Sequence, residues 1–585
     1  MNRMALISVG TLLTMAWLLS IGCTGPIFRK QSPEDSLFGS EEPQITLVGD
    51  VAHPYGLGYM KVESVALITG LAGTGEDPAP SPQRAAILAE MNRREVDKPN
   101  QILASPSTSL VVVRGFLRPG SQKGDRFDVE VRTTSQSDTT SLRDGWLMEN
   151  YLTEMAVLGS KIRKGHVMAT SFGNVLVDPS ADATKSPKLA IKGQVLGGGV
   201  ARRSRSLGLI IDTEKQSARL SQQLGKTINR RFHTYVDGRQ VGIANPKTDE
   251  FIEIILHPRY KDNVGRFMRV IRNIAIKEIP AARQARLILL EDQLLDPLTT
   301  AIAAVRLEAI GDDQAIEILE KGLLTEDPEI RFYSSEALAY LDVTKAVEPL
   351  AQVARDEPAL RVNALAALST MDDAAAYEAL RNLLDTKSAE TRYGAFRALW
   401  TMSPNDPFVH GEMLGDQFSY HQLDVEGPSM IHVTKSHRPE VVLFGKEHIF
   451  QLPLVADAGK NILVNGLSGA KITISRFDAN APTKQRTVST NVDEVIRAIV
   501  DLGGSYPDVV QLLQQAKESG SLACRFRVDA LPKSGRQFLR SSDSLEVSGS
   551  NASSAKNRNN PDNLDTVQSE PYELATPQPE LFGRK

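Results

Sequence analysis

Two stretches concentrate the residue types that could do chemistry. The first, Tyr55 to Asp77, reads YGLGYMKVESVALITGLAGTGED. Glycine-rich loops can cradle a phosphate through backbone N–H groups, and Gly70, Gly73 and Gly75 invite that reading. It fails because no Lys-Ser/Thr pair follows to reach phosphate and metal. The run reads instead as strand, tight turn, strand and glycine loop, since glycine alone accepts positive φ freely. The second stretch holds five of the nine histidines: His410, His421, His432, His437 and His448. A zinc or iron site would want a His-x-x-x-His pair or a His-Glu-x-x-His helix, and neither occurs. Scattered surface or interface histidines, and no metal, are expected. Gly197-Gly198-Gly199 is expected to be a flexible turn rather than an anion nest. Beside it, Arg202, Arg203 and Arg205 make a small basic patch. By default this is a solvated loop, though it could meet peptidoglycan, anionic lipid or a neighbouring subunit. No Gly-x-Ser-x-Gly elbow or other nucleophile arrangement is present. Catalytic, cofactor-binding and metal residues are therefore all expected to be none, and the chain is not read as an enzyme.

Only two cysteines occur, which excludes a disulfide framework and a cysteine-based zinc site. Cys23 follows Met1-Asn2-Arg3, an apolar run from Met4 to Ile21, and Gly22. That is the build of an export signal. A small residue directly before Cys resembles the lipobox of bacterial lipoproteins, with Leu19 and Ser20 near the usual leucine position. Cys23 is thus the expected site of lipidation, and the chain beyond it is expected outside the cytoplasm. Cys524 lies in Leu522-Ala523-Cys524-Arg525-Phe526-Arg527-Val528, whose alternation reads as a half-buried strand with a core thiol.

The elements follow from periodicity. At 585 residues, 41% hydrophobic, 24% charged and a net charge of −4, the chain can hold several ordinary domains, and no nucleic-acid partner is expected. From about Gln44 to Ile279 the reading is mixed α and β. Ser109 to Leu117 is a strand, and Phe127, Val129 and Val131 mark the buried face of another. Thr213 to Arg231 reads as a helix capped by Asp212 or Thr213. Ile252, Ile254 and Leu256 mark a strand; Val264, Phe267, Met268, Ile271 and Ile274 form a helical stripe. From Leu289 to Met402 the chain reads as all helix and repeats itself. Ala309-Ile310, Ala337-Leu338, Ala367-Leu368 and Ala398-Leu399 recur at spacings of 28, 30 and 31. Arg331, Arg361 and Arg392 stand six residues before the last three pairs. Small and large residues so placed let helices stack in a HEAT-like array. Strands are expected over Val441 to Phe450 and Ile462 to Phe477. Two helices follow within Val488 to Val528, the second capped by Ser505, with Pro507 in its first turn and Gly520 at its exit. Ser541 to Lys585 is polar with few large apolar residues and is expected to be disordered.

The glycine-rich run resembles the opening signature of the bacterial flagellar P-ring protein family. SLVVVRGFLRPGSQKGDRFDVEVRTTSQSDTTSLRDGWLMENYL, Ala169 to Asp178, Tyr235 to Ile276 and Val488 to Val528 resemble later segments of that family in the same order. The expected fold class is α+β, a mixed α/β ring-protein body split by an all-α HEAT-like solenoid insert. The domains are then 1–23 signal peptide with lipobox, 24–43 linker, 44–288 N-terminal body, 289–405 repeats, 406–535 C-terminal part and 536–585 tail. The resemblance implies a structural subunit of the basal-body P ring, a periplasmic bushing around the rod. Copies would join by head-to-tail contacts that close a ring. Its partners would be itself, the rod and outer ring proteins, with peptidoglycan and the outer membrane close by. Lipidation at Cys23 would tie it to the outer membrane. The alternative is a lipid-anchored envelope scaffold, uninvolved in motility, that binds a protein partner on the concave face of its repeats. HEAT-like repeats also occur in phycobilin lyases, which offers an enzyme by fold analogy alone.

Overall fold

The computed structural model describes residues 45–533 except 136, 159–160, 179–186 and 479–480, together with 535, 536, 538, 579 and 581. The export signal, Cys23, the linker to Pro43 and most of the polar tail lie outside the described residues.

The glycine-rich run forms β1 (Ala52–Tyr55), a turn, β2 (Met60–Thr69) and a loop, as its pattern predicts. After α1 (Pro82–Arg93) and α2 (Pro99–Leu103) come β3 (Ser109–Leu117), β4 (Arg126–Thr133), β5 (Trp146–Leu158) and β6 (Lys161–Asn174). A short α3 (Pro187–Ala190) leads to β7 (Lys192–Ala201). These strands close into an antiparallel barrel in the order β2-β3-β4-β7-β6-β5. Val62, Val111, Val113, Val129 and Val131 fill its interior, and closure leaves no strand edge to protect. Gly197, Gly198 and Gly199 belong to β7 and are not the flexible turn expected. A Cβ on Gly199 would lie 2.7 Å from the Phe127 ring, so the strand stays bare to let that ring in.

A second sheet, β1-β8-β12-β11, takes β8 (Gly208–Ile211), β11 (Ala244–Pro246) and β12 (Phe251–Ile254), while β9 (His233–Val236) and β10 (Arg239–Gly242) form a hairpin. Its helix α4 (Ala218–Arg231) starts later than predicted. Thr213–Lys215 makes only a 3-10 turn, and Ser217 caps α4 by accepting from the Leu220 amide at 3.2 Å. Asp212 is drawn off to His53 and Lys215. α5 (Val264–Arg272) follows, with Val264, Phe267, Met268 and Ile271 buried as the stripe predicts.

The helical array runs from Pro280, inside the stretch assigned to the body. It comprises α6 (Pro280–Leu294), α7 (Thr300–Ile310), α8 (Asp313–Leu323), α9 (Pro328–Tyr340), α10 (Val347–Asp356), α11 (Arg361–Leu368), α12 (Ala374–Leu383) and α13 (Ala389–Met402). Each of the four recurring pairs sits on the second helix of a helix pair, and α7, α9, α11 and α13 stack in a row. The periodic arginines serve backbone carbonyls. Arg331 donates to Thr325 O at 2.9 Å, Arg361 to Ala354 O at 2.8 Å and Arg392 to Leu384 O at 2.6 Å. Each ties the start of a second helix to the carbonyls that end the first, groups a helix cannot satisfy itself.

The C-terminal part holds a five-stranded sheet, β13-β14-β16-β15-β21, and a four-stranded meander. The first comprises β13 (Glu412–Leu414), β14 (Phe418–Leu423), β15 (Met430–Val433), β16 (Glu440–Phe444) and, from the far end, β21 (Arg525–Val528); the second comprises β17 (Leu454–Ala458), β18 (Ile462–Gly466), β19 (Lys471–Asp478) and β20 (Ala481–Ser489). Helices α14 (Val492–Asp501) and α15 (Tyr506–Glu518) stand where the sequence places them. Ser505 and Asp508 cap α15 reciprocally, and Gly520 exits at φ +78°. One apolar core runs from the second sheet and α5 through the whole array to Met430, Val442 and Phe444 of the five-stranded sheet. The array therefore shares its core with the elements on both sides of it.

Candidate functional site

The features built with most care are the two ends of the array, where ionised side chains are buried. At the first end, Asn263 caps α5 by accepting from the Arg266 amide at 3.1 Å, which points the Arg266 side chain into the array. Its guanidinium pairs with Glu308 on α7 (Nε to Oε2, 2.9 Å) and with Glu336 on α9. Tyr260 donates to the other Glu308 oxygen at 2.6 Å and stacks on Tyr340 at 4.7 Å. Asn263 donates to the Tyr340 hydroxyl at 3.1 Å, and Arg266 lies 4.8 Å over the Tyr340 ring. Arg266, Glu308 and Glu336 are all buried. Burial raises the Glu308 carboxyl above its usual range, against the pull of Arg266 and the Tyr260 hydroxyl, and the nearby Glu336 adds to the rise. Burial opposes the Arg266 charge, but Glu308 and Glu336 outweigh it and hold the guanidinium protonated.

At the other end the balance is reversed. Glu440, at the start of β16, is fully buried and accepts from Tyr393 at 2.7 Å and from Arg397 at 3.2 Å, both on α13. His421 Nε2 lies 3.5 Å from the same carboxylate, and its Nδ1 meets the Val409 carbonyl at 2.9 Å. The guanidinium groups of Arg397 and Arg438 each lie 4.6 Å from the Trp400 ring. Burial alone would raise the Glu440 carboxyl; Arg397 and then His421 and Arg438 outweigh it and hold the group far below its usual range. His432 stacks on Tyr393 at 3.7 Å and accepts from the Ala530 amide at 3.0 Å. Burial pushes its imidazole down to about 3, so it is neutral.

These charges share one place in the repeat. Glu308, Glu336, Ala366 and Arg397 each directly precede the recurring Ala-Leu or Ala-Ile pair. The row facing inward thus carries acid, acid, neutral and base. The body supplies a cation to the first two, and the C-terminal sheet supplies an anion to the last.

The residues singled out by sequence reasoning have structural roles. The amides of Leu71, Gly75 and Glu76 donate to the carbonyls of Ser107, Pro106 and Thr108 at 3.0, 2.8 and 3.1 Å, so they face backbone and not a phosphate. Lys460 from the C-terminal part reaches the Gly70 carbonyl at 3.4 Å. Of the histidines, His421, His432 and His448 are buried, while His410 is exposed. The His437 amide donates to Asp128, which also accepts from the Gly197 amide at 2.8 Å. Burial pushes the Asp128 carboxyl up to about 6 against those two bonds. Arg202 lies over Tyr151, and Arg205 donates to Leu117 O and Gly58 O, so the basic patch is partly tied down. Cys524 is half-buried, and burial raises its thiol. Among the described residues no cluster of His, Cys, Asp and Glu could hold a metal, and no helix is long and apolar enough to cross a membrane.

The buried charges join elements of the fold to one another. Comparison with known proteins shows what the chain is similar to. Residues 48–292 match the family model described as flagellar P-ring protein, and residues 316–400 match HEAT repeats. The chain is thus similar to flagellar P-ring proteins over its first part and to HEAT repeats after it. Three curated relatives bear the name flagellar P-ring protein. The one from Wolinella succinogenes is 23% identical over 224 residues, covering 36% of this chain and 61% of the relative. That from Photorhabdus laumondii is 25% identical over 271 residues, 43% of this chain and 68% of the relative. That from Hydrogenovibrio crunogenus is 25% identical over 254 residues, 41% and 63% respectively. The chain thus spans about three fifths to two thirds of these relatives' lengths. The P-ring family is structural and non-enzymatic.

Proposed function

We propose that this protein is a structural subunit of the flagellar basal-body P ring, assembled by self-association into a periplasmic bushing around the rod. The observation that carries this reading is the P-ring match over residues 48–292, which spans the closed barrel, the second sheet and α5. Rod and outer ring proteins would be its neighbours, with lipidation at Cys23 holding it to the outer membrane. The test is electron microscopy of the purified protein together with a deletion strain. Rings, and loss of motility on deletion, are expected. Monomers only, with normal motility and intact basal bodies in the deletion strain, would rule the reading out.

The alternative, a scaffold that recruits a partner through its repeats, has little free surface to use on the inner helices. α9, α11 and α13 are buried along most of their length, and the inner row meets α5 at one end and the five-stranded sheet at the other. A recruited partner would have to use the outer side, where Ile288 and Leu324 are exposed.

A further inference from the structure

We propose that the segment carrying Pro579 and Leu581 is a docking motif, and that its site is the C-terminal end of α13, where the last repeat meets the body. Both residues are buried, although they lie in a stretch whose composition predicts disorder. Leu581 is only 4% exposed and joins the same apolar core as Leu399, Trp400 and Val409. The Thr401 hydroxyl donates to the Leu581 carbonyl at 3.5 Å, and the Thr401 carbonyl accepts from Lys261 of the body at 3.4 Å. The site is therefore shared between array and body.

Chain connectivity does not force this placement. Before the tail, Arg536 pairs with Glu390 at the start of α13 at 2.7 and 2.8 Å. From Glu390 to Thr401 is roughly 16 Å along a helix. The 42 residues between Arg536 and Pro579 could reach roughly 140 Å when extended. Leu581 is buried beside Thr401 because the site selects it. Its neighbours Pro579, Glu580 and Phe582 make it the apolar anchor of a short peptide in a tail otherwise rich in Ser, Asn and Asp. The motif covers the apolar surface beside Leu399, Trp400 and Val409 at the edge of the last unit. Tethering keeps the motif at an effective concentration of about millimolar, so even a weak site stays occupied.

A labelled peptide of residues 571–585 tests this by fluorescence anisotropy. Saturable binding is expected to a chain truncated after residue 570. Binding at least tenfold weaker is expected to the full chain, whose own tail competes, and for a peptide carrying Leu581→Asp. A full-length chain bearing Leu581→Asp serves as a second receptor should truncation disturb the array; it is expected to bind the native peptide as the truncated chain does. No binding to either altered receptor, equal binding of the two peptides, or equal affinity of the native and altered chains would overturn the proposal.

Discussion

The two ends of the helical array solve one problem with opposite charge. At the first, one guanidinium from the body serves two array carboxylates; at the second, one carboxylate from the sheet meets Arg397 of the array with His421 and Arg438 beside it. Buried pairs of this kind are weak sources of net stability but are strongly destabilising when one partner is lost. What they secure is placement. An array shifted by one repeat along the body would set the neutral Ala366 where Glu336 belongs, and one shifted by two would set Arg397 there. The difference teaches that the inner row is polarised, with each end fitting only its own neighbour.

The comparison can be broken from either side. Arg266→Met should be the most damaging change, since it strands two buried carboxylates; a loss of about 5 kcal/mol is expected from urea unfolding. Glu440→Gln should cost about 3 kcal/mol, with Arg397 losing the charge of its buried carboxylate, and should be read most clearly through Trp400 fluorescence in a Trp146→Phe background. The pH response should separate the ends further. His432 is held neutral when folded, so below its ordinary value of 6.5 the unfolded chain takes up a proton that the native one refuses. Stability is lost as pH falls from 6.5 towards about 3, by about 2 kcal/mol between pH 7 and pH 5. Glu440 adds to this below its unfolded value of 4.5, because its depressed carboxyl must be protonated on unfolding. The raised Glu308 has the opposite sign: its contribution is fully present below 4.5 and is lost as pH rises from there through its raised folded value. His432→Phe should reduce the slope between pH 7 and pH 5, as measured by urea midpoints, with the remainder left to His257, pushed down to about 4, and to His448, also lowered by burial. The smallest effect is expected of Glu336→Gln, which removes the surplus negative charge at the first end and should change stability by under about 1 kcal/mol.

Much of the fold was legible where local pattern decides it. Ser109–Leu117 is a strand from end to end, and the Ala-Leu spacing located the array because stacked helices need that small and large alternation at fixed intervals. The Ser505 cap and the Gly520 exit follow from residue type. Barrel closure was not legible, since alternation in β2 and β5 says that each strand is half-buried and nothing of whether the two pair. The start of α4 was missed because Asp212 and Ser217 are equally good caps in isolation, and tertiary contacts to His53 and Lys215 chose between them. The junction charges left a partial trace. Glu308, Glu336 and Arg397 occupy the position before each recurring pair, but their partners Arg266 and Glu440 come from outside the repeat, where no periodicity points to them.

The central claim is that the array and its neighbours form one structure, fixed at both ends. Native-state hydrogen exchange tests it most directly, because protection reports which elements open together. The account predicts that the inner helices α7, α9, α11 and α13 exchange with the same opening free energy and denaturant dependence as α5 and β16. A lower-energy opening confined to residues 280–402, with α5 and β16 still protected, would contradict it.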